Sequence, residues 1–238
     1  MIGFGTLINV AAVVAGGIAG IGGAKFMRDE YRETLEKVCV ISVLFIGIAG
    51  AMEKMLSVSG GKIEAGCSML ITLCLVIGAF IGEVINIEGG FEKFGSWLKI
   101  KTKSTGDTRF VDAFVTASLT VSIGAMAIVG SIRDGINGDW SVLAAKSVLD
   151  FIIILVMSCS LGKGCIFSAL PILAFEGGIT LFAVFIKPFM TQTALDYISL
   201  IGSILIFCVG LNLVWGKKIR VANLLPSILL AFAAAYLI

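Results

Sequence analysis

Eight runs of about twenty mostly apolar residues, each long enough to cross a bilayer as one helix, constrain this chain more than any motif in it. They lie at about 3–22, 37–56, 66–86, 110–131, 141–161, 164–186, 194–214 and 220–238 of the 238 residues. In hydrocarbon a backbone must satisfy its own hydrogen bonds, which a helix does within one segment. Only 14% of the residues are charged and the mean hydropathy is +1.05, whereas a soluble domain is about a quarter charged. The expected fold is all-α: a polytopic integral membrane protein with one transmembrane domain over 1–238 and no soluble domain. The first run has no basic segment ahead of it and no convincing cleavage pattern, so it reads as a retained span rather than a signal peptide.

Lys and Arg accumulate in the loops facing the cytoplasm. Alternating eight spans puts Lys25, Arg28, Arg32, Lys37, Lys93, Lys99, Lys101, Lys103, Arg109, Lys163, Lys217, Lys218 and Arg220 on one side, and only Lys54, Lys62, Arg133, Lys146 and Lys187 on the other. That asymmetry predicts both termini outside. Within the longest cytoplasmic stretch, Phe91, Phe94, Trp97 and Leu98 share a helical face flanked by lysines. Such a helix suits the headgroup layer; an ordinary basic loop is the other reading.

Histidine is absent, which removes imidazole metal ligands, bases and proton relays together. No basic stretch with interleaved aromatics points to nucleic acid. GxSxG, GxxxxGK[ST] and HExxH are missing, as are the patterns of intramembrane aspartyl enzymes, so no enzyme and no cofactor is expected. Cys39, Cys67, Cys74, Cys159, Cys165 and Cys208 lie in or beside apolar runs without a CxxC pair, as packing thiols do.

Against this background, Asp150 in SVLAAKSVLDFIIILVMSCSLG and Glu176 in IFSALPILAFEGGITLFAVFI stand out, each near the middle of a span. An ionisable group there costs about 2.5–3.5 kcal/mol on insertion scales and by default marks an ion, proton or substrate path. Pro171, Gly177 and Gly178 around Glu176 suggest a broken helix whose freed carbonyls join the carboxylate. Lys146 stands one turn before Asp150, spaced for an ion pair; alternatively it snorkels outward and leaves Asp150 to another partner. Asp112, Thr116, Thr120 and Gly124 share one face of the fourth span, with Ser118 and Ser122 in a second polar row; small and hydroxyl residues also serve simple helix packing. Asn9 needs a hydrogen-bond partner in lipid. Glu83, Asn212 and Asn223 gather near cytoplasmic helix ends, where they line an inner gate or anchor those ends to water. Arg133-Asp134-Gly135 reads as an outer turn with an interfacial ion pair.

Spans 1–3 align faintly with spans 6–8. Gly16-Gly17 falls near Gly177-Gly178, and TLEKVCVISVLFIGIAG (34–50) near TALDYISLIGSILIFCVG (193–210). The two units would have opposite topology, as in transporters with inverted repeats.

The segments SIGAMAIVGSIRDG (122–135) and GLNLVWGKKIRVANLLPS (210–227), with the opening GFGTLINVAAVVAGG, resemble the bacterial inner-membrane family called domain of unknown function 554, whose members are often labelled transport proteins. The resemblance covers essentially the whole chain and implies a multi-pass inner-membrane protein; it carries no site residues. LDFIIIL (149–155) and VDAFVTASL (111–119) also resemble the Asp-bearing helices of manganese-efflux-type exporters, which favours a cation. The leading expectation is a secondary transporter of a cation or small solute, coupled to protons or ions through Asp150 and Glu176, with the bilayer and that solute as partners and a homo-oligomer open. A pore, or a non-transporting assembly or lipid-binding protein, are the alternatives.

Overall fold

The computed structural model describes residues 2–24, 28–59, 61–122 and 124–237, apart from the side chains of Asp29, Arg32, Glu36, Cys39, Ser59 and Ala125. Lys25 and the side chains of Arg32 and Cys39, used in the sequence reading, lie outside the described residues. In chain order the elements are α1 (Phe4–Ala24), α2 (Asp29–Met55), β1 (Leu56–Ser59), β2 (Lys62–Ala65), α3 (Ser68–Ile85), α4 (Ile87–Lys101), α5 (Phe110–Ser122) and α6 (Ala125–Asn137). There follow α7 (Ser141–Leu161), a 3-10 turn Lys163–Ser168, α8 (Ala169–Leu181), α9 (Ala183–Ile186), α10 (Gln192–Trp215), a 3-10 turn Val221–Leu224 and α11 (Pro226–Ala234).

Among the described residues six stretches are long and apolar enough to cross a membrane: Phe4–Ala24, Glu33–Met55, Ser68–Ile85, Ser141–Leu161, Lys163–Leu181 and Gln192–Trp215. The bent pair α5–α6 makes a seventh if it counts as one span. The chain is thus a polytopic all-α membrane protein, but not eight straight crossings. The fourth expected span breaks: α5 and α6 diverge by 63°, with Gly124 between them at φ 156°, a conformation that glycine adopts freely and other residues do not. The eighth begins as the Val221–Leu224 turn and becomes helical only at Pro226, where proline's missing N–H costs nothing. What remains, Val221–Ala234, is apolar but shorter than the others. The hairpin β1–β2, antiparallel with Leu56 opposite Ala65 and Ser59 opposite Lys62, was not anticipated.

The chain divides into two compact units, one of Met1–Cys39, Phe91–Ser122 and Met126–Pro188, the other of Val40–Gly90, Ile123–Ala125 and Phe189–Ile238. In the first unit α1 lies along α7. The buried residues of α1 are Gly5, Thr6, Asn9, Val13, Gly16, Gly17 and Gly20, a repeat of three and four that makes one helix face. A Cβ at Gly16 would stand 2.5 Å from the Phe151 carbonyl oxygen, and one at Gly20 would stand 2.8 Å from Ser158 Cβ. Small residues are what let membrane helices approach this closely. The Lys163–Ser168 turn packs on α5, with Cys165 Sγ 3.8 Å from the Ala113 carbonyl, and Cys159 Sγ sits 3.1 Å from the Gly20 carbonyl. Among the described residues Cys67, Cys74, Cys159, Cys165 and Cys208 form no disulfide, and Cys74, Cys159 and Cys165 are buried.

Helix α8 corrects the expected break at Glu176. It runs without interruption from Ala169 to Leu181, because the change of backbone geometry comes earlier, at the end of the 3-10 turn. Pro171 therefore falls in the first helical turn, where it removes no intrahelical bond. The aromatic face foreseen in α4 also divides. Phe91 and Phe94 turn toward Phe114, at 6.5 and 5.8 Å between ring centroids, and Leu98 is buried. Trp97 stays half exposed, stacked on Phe94 at 5.7 Å with Lys101 over its ring.

In the second unit, Gly47 and Gly50 of α2 meet Phe207 and Ser203 of α10, and Gly78 and Gly82 of α3 meet Ser227 and Asn223.

Candidate functional site

Close packing of α1 on α7 brings Asn9 level with the polar residues of α7, and α8 adds a third side chain. The Asn9 Nδ2 amide donates to Asp150 Oδ2 at 3.0 Å and to Glu176 Oε1 at 2.8 Å. While both carboxylates are ionised they only accept, so the amide N–H groups rather than the amide carbonyl face them. Lys146 Nζ donates to Asp150 Oδ2 and lies 3.5 Å from Glu176 Oε1. All four residues are buried, Asn9 and Glu176 at 0% exposure. Sequence reasoning had Lys146 reaching outward as one possibility; it turns inward instead, because a third oxygen is waiting there. The break after α5 leaves its last carbonyls without helical partners, and Val121 O accepts from Lys146 Nζ at 2.7 Å. The negative end of the α5 dipole adds to that attraction.

The ammonium thus donates to the Asp150 carboxylate and the Val121 carbonyl and adds an ion pair with Glu176. The acceptors are not equally served. Asn9 Oδ1 and Glu176 Oε2 are buried and have no partner among the described residues. Counted as charges, the cluster holds two carboxylates against one ammonium. Nothing among the described residues groups three or more Cys, Asp or Glu side chains suited to a metal ion.

The other sequence candidates do not reach this cluster. Asp112 is exposed in the first turn of α5, and the Thr120 hydroxyl donates to the Thr116 carbonyl of its own helix at 2.8 Å. What α5 contributes is a backbone carbonyl, which no side-chain pattern announces. The residues considered for a gate all lie in the second unit. Glu83 pairs with Arg220 at 2.9 Å. Asn212 clasps the turn after α10, accepting from the Lys218 and Ile219 amides and donating to the Ile219 carbonyl. Asn223 Oδ1 accepts from the Glu88 amide at 2.7 Å, while Glu88, which the sequence reading passed over, accepts from the Ala222 amide and pairs with Lys217 at 3.0 Å. These bonds fasten helix ends.

A further carboxylate stands in a helix rather than in the expected outer turn. Arg133, Asp134 and Gly135 belong to the last turns of α6. Arg133 turns to Asp139 at 3.7 Å, and Asp134, at 0% exposure, accepts from the Gly5 amide at 2.9 Å. Asp139 precedes α7, where the Ser141 hydroxyl, the Ser141 amide and Arg133 hold its carboxyl below the usual range.

A family model described as "Protein of unknown function (DUF554)" matches residues 4–236. The chain belongs to this family. Among DUF554 relatives, the Bacillus subtilis (strain 168) "Uncharacterized membrane protein YdfK" is 28% identical over 227 residues, covering 95% of this chain and 93% of its own length. The Escherichia coli (strain K12) "Uncharacterized protein YqgA" is 28% identical over 231 residues, covering 95% and 94%. No solved structure matches. The apolar helices of this DUF554 member make it a membrane protein, in accord with the name of its Bacillus relative.

The glycines beside Glu176 give a direct check on helix continuity. A Cβ at Gly178 would meet nothing within 4 Å. Gly178→Ala is therefore expected to stabilise the protein by about 0.5–1 kcal/mol, the usual gain inside a helix, when unfolding is followed in detergent. A hinge at this point would make the variant neutral or worse.

Proposed function

We propose that this DUF554 member is a secondary transporter of a small cation, coupled to protons, with Asn9, Lys146, Asp150 and Glu176 as its binding site. The observation that carries the reading is the charge imbalance: two buried carboxylates face one ammonium. Leaving a carboxylate charged and uncompensated away from water costs on the order of several kcal/mol. A proton removes that cost, and so does a cargo cation. They compete for one surplus charge, and such competition is the simplest form of exchange coupling.

Lys146 fits this role as a tethered cation. Its ammonium rests on Asp150, Glu176 and the Val121 carbonyl at a helix break, the kind of oxygen setting in which interrupted helices of transporters hold ions. Cargo would displace the ammonium from the carboxylates. The unpartnered Glu176 Oε2 and Asn9 Oδ1 are additional ligands for it.

The test is flux. Protein in vesicles holding a trapped pH dye is expected to move protons when a gradient of the right cation is imposed. Glu176→Gln and Asp150→Asn should drop the signal to that of empty vesicles while the purified yield stays unchanged. Flux that survives both substitutions would end the proposal. Failure of both variants to assemble would instead favour the carboxylates as fasteners between helices.

A further inference from the structure

We propose a second cation site at Asp134 and Ser131, one helical turn along α1 from the Asn9 cluster, selective for a hard monovalent ion of the sodium class. Both residues are at 0% exposure on α6, three positions apart and so on one face. Asp134 Oδ2 is used by the Gly5 amide. Asp134 Oδ1 and Ser131 Oγ, both buried, have no partner among the described residues. Among the described residues no basic side chain pairs with the carboxylate, and Arg133, next to it in sequence, pairs with Asp139. An unpaired buried carboxylate beside an unused hydroxyl is costly unless something occupies it.

The oxygens say what that occupant is. One carboxylate and one hydroxyl, with no cluster of Cys, Asp or Glu among the described residues, supply hard ligands of low total charge. They suit a monovalent ion rather than a transition metal, and they are too few for calcium. Position says what the site does. Gly5 and Asn9 are one turn apart on α1, as Glu176 and Thr180 are on α8, and between the two levels the Thr6 and Thr180 hydroxyls stand 3.4 Å apart. Asp134, the threonine pair and Glu176 thus form a ladder of oxygens spanning about 6 Å along α1, down which an ion passes to the main cluster. This role rests on the transport reading; the binding does not.

Trp140 reports on the site, because its ring packs edge-on against Phe4 at 5.7 Å, beside the Gly5 amide. In purified protein carrying Trp97→Phe and Trp215→Phe, sodium chloride titrated against choline chloride at fixed ionic strength should change Trp140 fluorescence saturably. Asp134→Asn, which keeps an acceptor for Gly5, should weaken the midpoint by about tenfold, the worth of one bond to a charged ligand, and Ser131→Ala should weaken it less. Glu176→Gln should retain the response even where flux is lost. No sodium response, or one that Asp134→Asn leaves unchanged, overturns the site. A response that persists in a protein without cation-driven flux removes the transport reading and leaves the site standing.

Discussion

Lys146→Met should be the most damaging single substitution in the chain. It removes the one cation from a cluster whose two carboxylates are both buried, and breaking a buried ion pair from one side costs about 3–5 kcal/mol. A loss of that size consumes much of the stability of an ordinary domain, so a lower folded yield and a lower unfolding midpoint in mixed micelles are expected. The effect comes from charge rather than volume, since Met is close to Lys in length and is apolar. Lys146→Met/Asp150→Asn should therefore recover most of the lost stability while remaining inactive. If the single variant is as stable as the parent, or the double variant no better than the single, the cluster is not held together by charge.

Gly16→Val should be nearly as severe for a different reason. The added side chain would run into the backbone of Phe151 on α7, and a backbone cannot rotate aside as a side chain does. Overpacking of this kind costs about 1–3 kcal/mol and occasionally more. Relief comes only by lifting α1 off α7, which draws Asn9 away from Asp150 and Glu176. Stability and flux should fall together, in contrast to the gain at Gly178, where a methyl group meets open space. Unchanged stability in Gly16→Val would mean that the α1–α7 contact is looser than it stands.

Asp150, Glu176 and Asn9 were legible because polar groups in apolar runs are conspicuous and must find partners. That they would find each other was legible only in part. The packing that unites them depends on Gly16 and Gly20, and glycines in a membrane helix carry no mark of which neighbour they face. Lys146 was ambiguous because a long side chain near a helix end can reach either way. The choice was made by the Val121 carbonyl, set free by the break at Gly124, and a backbone acceptor has no sequence signature. Pro171 and the glycines after Glu176 drew attention to a break in the wrong helix, since proline disrupts only beyond the first turn. Asp134 escaped because Arg-Asp-Gly has the composition of a turn, while its carboxylate serves the buried Gly5 amide. The shortness of the last apolar helix has a similar origin: hydropathy over 220–238 is high, but Pro226 and the 3-10 turn ahead of it shorten the helix.

Proton release measures the central claim most directly. Unbuffered purified protein, given increasing cation while a dye follows pH, should shed protons as the cation binds, and Glu176→Gln should shed none. Cation binding without proton release, or equal release from Glu176→Gln, would contradict the account.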